Sequence, residues 1–117
     1  MLEADIERHL VARVKELGGE VRKVRWIGRN GAPDRLVMLP EQRKLVRHDG
    51  PWGTRYSDKA VRHSATIWVE LKNPDTIKTF PADARERAQH REHQRMRAMG
   101  QRVEVIGTIE QVEELLR

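Results

Sequence analysis

At 117 residues the chain has room for one modest core, and 38% hydrophobic against 35% charged residues set it toward the polar end of folded proteins. It has no cysteine, which excludes disulfides, thiolate metal sites and a thiol nucleophile and fits a reducing cytoplasm, and no run approaches the roughly 20 apolar residues of a membrane span. A net charge of +5 points to an anionic partner, most simply nucleic acid.

The N-terminus, "MLEADIERHL", is acidic and amphipathic rather than signal-like. Leu2, Ile6, Leu10, Val14 and Leu17 recur at spacings of three and four, which predicts an amphipathic helix over 2–17 ended by Gly18 and Gly19. "VRKVRWI", 21–27, mixes β-branched and basic residues and reads as a strand. "GRNGAP" is a turn, and "RLVML", 35–39, is a buried-type strand closed by Pro40, so the two strands are expected to pair. From Glu41 to Ser64 the chain reads as polar and irregular, with a turn at "DGPWG".

"TIWVEL", 66–71, is the clearest strand, and "NPDTIKTFPAD" reads as a loop with two prolines. Asp83 and Glu86 form a capping-box pattern for a helix reaching about Met99, stopped by Gly100. A last strand at 102–106 and a helix capped by Thr108 complete the order α-β-β-β-α-β-α, an α/β domain with a central mixed sheet.

Alternation sends Ile67, Val69 and Leu71 to one side of the third strand and Trp68, Glu70 and Lys72 to the other. Glu70 and Lys72 thus project together near a strand's C-terminal end, where α/β sheets often place ligand sites, although Glu-x-Lys alone also suits an edge ion pair. Asp34 enters a hydrophobic strand directly after Pro33, where packing asks for no acid and an Asx-type turn is the plainer reading. Adjacent strands would bring Asp34 and Glu70 to one point beside Lys72. Hard oxygen donors of that kind suit Mg²⁺ or Mn²⁺ with substrate phosphate oxygens, and the lysine can orient a water or offset developing charge.

Pro33-Asp34 followed by Glu70-x-Lys72 resembles the PD-(D/E)xK nuclease signature. More narrowly, "IERHLVARVKELGG", "GAPDRLVMLP", "WVELKNP" and "QHREHQRMRAMGQRVEVIGTIEQVEELL" resemble the virus-type replication-repair nuclease (VRR-NUC) family, small phage and bacterial proteins related to Holliday junction resolvases. The resemblance spans residues 1–117 as a single domain, apart from an expected insertion at 43–65 between the second and third strands.

It implies a restriction-endonuclease-like α-β-β-β-α-β core, a central mixed sheet flanked by helices, with a C-terminal helix. It implies a metal-dependent, structure-selective DNA endonuclease of phage or bacterial replication, recombination or repair, acting in the cytoplasm. Asp34, Glu70, the Leu71 carbonyl and a first-helix acid would hold Mg²⁺ or Mn²⁺, Lys72 would assist the water, and Gln89 would point at the site. Glu7 is preferred over Glu3 as the helix acid. Such proteins tend to be homodimers, which suits branched DNA such as a four-way junction or flap. A non-catalytic nucleic-acid-binding module retaining the fold, or an unrelated basic interaction domain, would carry similar residues.

Arg87, Arg91 and Arg95 recur every four residues on the second helix, either as a solvated face or as phosphate contacts. His90 and His93 at i, i+3, with His9, lack a clear partner for a zinc site. The 43–65 segment interleaves Arg43, Lys44, Arg47, Arg55, Lys59 and Arg62 with Trp52 and Tyr56, a composition that suits DNA contact, with Arg55 and Lys59 as candidates; a dimer contact is also open.

Overall fold

The computed structural model describes residues 1–117. Its order is α1 (Glu3–Glu16), β1 (Glu20–Lys23), β2 (Arg35–Leu39), β3 (Gln42–Gly50), β4 (Gly53–Arg62), β5 (Ala65–Leu71), α2 (Pro74–Thr79), α3 (Ala84–Ala98), β6 (Val103–Ile106) and α4 (Ile109–Leu115).

The apolar spacing of α1 buries Ile6, Leu10 and Val14. They meet Val37 and Leu39 of β2, Ile67, Val69 and Leu71 of β5, Ile106 of β6, and Val112, Leu115 and Leu116 at the C-terminal helix. This core lies on one face of a four-stranded sheet ordered β1-β2-β5-β6. β1, β2 and β5 pair antiparallel, while β6 runs parallel to β5. A parallel neighbour requires a crossover, and here α2 and α3 supply it, which carries α3 across the second face of the sheet. No helix is long and apolar enough to cross a membrane.

Three expectations are corrected. The first strand stops at Lys23 rather than Ile27, because Gly28 and Gly31 adopt positive φ and the Trp26 indole donates to the Pro33 carbonyl at 2.8 Å, folding 24–33 into a loop. The stretch read as irregular, 41–64, contains a long antiparallel ribbon, β3 with β4, turning at Pro51-Trp52. The proline-rich loop after β5 contains α2, whose Asn73 side chain accepts from the backbone N–H groups of Asp75 and Thr76. Asp83 caps α3 as expected, accepting from the Glu86 N–H, while Glu86 reaches back to Ala82 N.

The ribbon pairs with no other strand. It gives the molecule a 67 Å long axis against 32 and 22 Å, and a radius of gyration of 18.2 Å. A compact chain of this length would measure about 13 Å. The ribbon leaves β2 after Leu39 and rejoins β5 at Ala65, and these two residues are partners at one end of the sheet. The Arg62 guanidinium donates to the Leu116 carbonyl and ties the ribbon's base to the end of α4.

Candidate active site

Because Ile67, Val69 and Leu71 face the core, Trp68, Glu70 and Lys72 must face α3. α3 meets them with a polar inner side: Glu86, Gln89, Glu92 and His93 are buried there together with Met96. Glu70 and Lys72 are each only 9% exposed.

Gln89 joins the pair. Its amide nitrogen donates to Glu70 Oε1 at 2.9 Å, and its oxygen accepts from Lys72 Nζ at 2.9 Å. The amine lies 3.8 Å from Glu70 Oε1 and 3.6 Å from Glu86 Oε2, and it sits over the Phe80 ring at 5.1 Å. Lys72 is thus held by an amide, two carboxylates and a π face, all aimed at one atom.

Asp34 arrives from the 24–33 loop, which is fastened at three points. Trp26 packs on Trp68 at 5.1 Å between centroids and bonds Pro33. Arg29 donates to the buried Glu92 at 2.9 Å. Gly31, at φ +83°, presses on α3 so closely that a Cβ there would lie 3.1 Å from the Ala88 oxygen and the Gln89 Cα. Asp34 and Glu70 consequently line one cavity of about 480 Å³ with Asn30, Gly31, Ala32, Arg85, Ala88 and Gln89.

Burial pushes the Glu70 carboxyl up to about 7; Lys72 pulls it down, and the charges of Asp34 and Glu3 push it further up. Asp34 is open to solvent and paired with Arg35 at 2.9 Å. A buried carboxylate that resists ionisation beside an accessible one is a setting that a divalent cation would relieve. Three His, Cys, Asp or Glu side chains do not converge anywhere as a metal-binding set. Two carboxylates with water suffice for Mg²⁺ or Mn²⁺, so the donor set fits such an ion.

Glu7 is not brought to this point. Its two oxygens accept from Arg35 at 3.2 and 3.1 Å, and its pKa is lowered chiefly by that hydrogen bonding. Of the two helix acids, Glu3 is the one whose charge reaches Glu70. Gln89 does face the pair. Of the arginine stripe, Arg87 donates to the Ala82 carbonyl at 2.9 Å and Arg95 to Glu92 at 2.9 Å, while Arg91 has no ion-pair or hydrogen-bond partner. Arg55 and Lys59 lie out on the ribbon.

His93 is wholly buried and stacked on Phe80, held near pKa 4 mainly by burial, and His9 bonds Glu113 instead. Arg85 and Trp26 were not singled out from sequence as site residues, and Glu86 was read only as half of a capping box. Glu86 and Gln89 share the 3–4–3 spacing with His93 and Met96, the one signal that could have marked α3's inner side.

No family profile matches the chain. A phage protein named "Putative nuclease p44", from Acyrthosiphon pisum secondary endosymbiont phage 1, is 34% identical over 86 residues, 68% of this chain and 92% of the relative. A solved structure described as a VRR_NUC domain superposes with a TM-score of 0.62 at 31% identity, over 97% of this chain and 92% of that one. The sheet order, the Asp34/Glu70 cavity and these two likenesses agree, and the chain belongs to the VRR-NUC family of nucleases.

Proposed function

We propose that the chain is a Mg²⁺- or Mn²⁺-dependent DNA endonuclease acting on branched DNA, a four-way junction or flap, with residues 1–117 working as one domain. The observation that supports this most is the shared cavity of Asp34 and Glu70, with Lys72 tied to Glu70 through Gln89. Asp34, Glu70 and the Leu71 carbonyl would hold the cation, and Glu3 is better placed than Glu7 to add charge to it.

A bound divalent cation would supply Lewis acidity toward the phosphate oxygens and a water of lowered pKa. The chain's own residues do the rest. Lys72 donates a hydrogen bond toward the attacking water or a non-bridging phosphate oxygen and offsets the charge that builds as the P–O bond breaks. Gln89 fixes the direction of that amine by accepting a hydrogen bond from one of its three N–H groups. Arg85, at the cavity wall, attracts the phosphodiester. A homodimer would present two such sites to a two-fold branched substrate. Phage or bacterial DNA replication, recombination or repair in the cytoplasm is the setting that the likeness to a phage relative favours.

The test is cleavage of labelled four-way-junction, flap and linear duplex DNA in Mg²⁺, Mn²⁺ or EDTA, beside Asp34→Asn and Lys72→Ala. Metal-dependent cutting that falls by about 10²-fold or more in both variants is expected. Binding without cutting in either metal, alike in wild type and variants, would leave a non-catalytic binding module instead.

A further inference from the structure

Residues directly opposite one another in an antiparallel ribbon share a face, and the face alternates along each strand. In β3 and β4 one face therefore carries Lys44 opposite Lys59, Val46 opposite Ser57, and His48 opposite Arg55. The other carries Arg43, Leu45 opposite Asp58, Arg47 opposite Tyr56, and Asp49 opposite Thr54.

The two faces differ in charge chemistry. On the second, both arginines are neutralised, Arg43 by Asp58 at 2.8 Å and Arg47 by Asp49 at 2.9 Å. The first has no carboxylate. Its Lys44, Arg55 and Lys59 are exposed, and none of them enters an ion pair or hydrogen bond; His48 bonds only Ser57, at 2.7 Å. Like charges directly across a strand pair destabilise it, and nothing in the fold compensates the Lys44–Lys59 rung. A ribbon that neutralises one face and leaves the other wholly cationic is shaped for an anionic partner.

The partner's form follows from spacing. The Lys44–Lys59 and His48–Arg55 rungs are four residues apart, about 13 Å along the strand, too far for one small anion to bridge. An anionic membrane would need apolar anchors along the same side, yet of the ribbon's exposed apolar residues Leu45 and Tyr56 belong to the opposite face, Trp52 to the turn and Val61 to the base. A second copy of a chain with net charge +5 is a poor counterpart for this face. A nucleic-acid duplex presents phosphates at every step, and a two-stranded ribbon has the width of its major groove.

We propose that the Lys44, Arg55 and Lys59 face of the β3–β4 ribbon is a second DNA-binding surface, engaging the phosphates of a duplex arm away from the bond to be cut. This rests on the nuclease reading for its substrate. The ribbon springs from the Leu39–Ala65 end of the sheet, opposite the end that carries Asp34 and Glu70, so the surface grips DNA without entering the chemistry.

Binding of a fluorescent duplex should be measured in EDTA, where no metal-dependent cutting intervenes, across a salt series. Lys44→Ala with Lys59→Ala is compared with the charge-matched Arg43→Ala with Arg47→Ala, and with Lys44→Arg plus Lys59→Arg as a check that the ribbon survives. The lysine-to-alanine pair should make the slope of log K against log salt shallower by about 1.8, while the other two variants keep the wild-type slope. An unchanged slope in the lysine-to-alanine pair overturns the proposal. So does an equal loss from the Arg43/Arg47 pair, or a loss of self-association with the slope intact. Failure of cleavage in Mg²⁺ would overturn the nuclease reading and leave this binding result standing.

Discussion

Glu7 and Arg35 form a fork: both carboxylate oxygens of the first helix acid accept from one guanidinium, which also pairs with Asp34. Glu7 therefore acts on the site through Arg35, by holding the cation that borders Asp34. Glu7→Gln should cost about 1–2 kcal/mol of stability, since a charge-assisted pair at a half-buried position is lost. Mn²⁺ affinity should stay near that of the wild type, whereas Asp34→Asn should lose it. Urea denaturation and isothermal titration with Mn²⁺ together separate the two roles.

Glu70, with its carboxyl raised to about 7, makes stability depend on pH in a particular direction. Between the ordinary carboxylate value and about 7, the folded chain keeps a proton that the unfolded chain has released, so stability falls as pH rises through that window. In EDTA the wild type should lose on the order of 3 kcal/mol relative to Glu70→Gln between pH 4.5 and 7. Metal binding should show the opposite trend and strengthen up to about pH 7, because the ion must displace that proton. Thermal melts of both proteins across pH, with and without Mn²⁺, check both signs.

Gln89 is the sole hydrogen-bond link between Glu70 and Lys72. Gln89→Met keeps its length and removes both bonds, and cleavage should fall by about 10–100-fold, with duplex affinity in EDTA near the wild-type value. Gln89→Glu should be worse, because a second carboxylate drives the Glu70 proton affinity higher. Single-turnover rates set against binding curves decide whether the effect is on chemistry.

Gly31→Ala places a methyl 3.1 Å from the Ala88 carbonyl in a backbone conformation that suits glycine. About 1–3 kcal/mol of stability should be lost. The loop should also lift from α3 and carry Asp34 with it, so cleavage should drop even where the variant is fully folded. Comparing rates at a temperature well below the melting point distinguishes displacement from unfolding.

The sheet was legible in the sequence wherever a strand has an apolar face. Ile67, Val69 and Leu71 alternate cleanly and buried as read, and the same alternation put Glu70 and Lys72 together. β3 and β4 were not legible as strands, because neither buries a face and the alternation that marks a strand is missing. α2 escaped notice because its six residues bury nothing, although Asn73 stood in place to cap it.

α3 is legible as a helix, but of its inner side only Gln89 is marked in the sequence, and that through the family resemblance. A helix that faces a charged strand buries Glu86, Gln89 and Glu92, and polar residues at helical spacing look like solvent contacts when only the sequence is seen. Glu7 lies on the helix flank as its spacing implies, but the partner it meets there belongs to β2, and no local pattern announces Arg35.

β2 and β5 are attached to different business at their two ends. At the Arg35–Val69 end their geometry is pinned by a loop, a helix and a network of fixed polar contacts; at the Leu39–Ala65 end they feed a ribbon bound to the body chiefly at its base. Lengthening, trimming or exchanging that ribbon would leave the hydrolytic end untouched, so such a scaffold can acquire new grip on nucleic acid as an exchangeable attachment while its cutting apparatus stays the same.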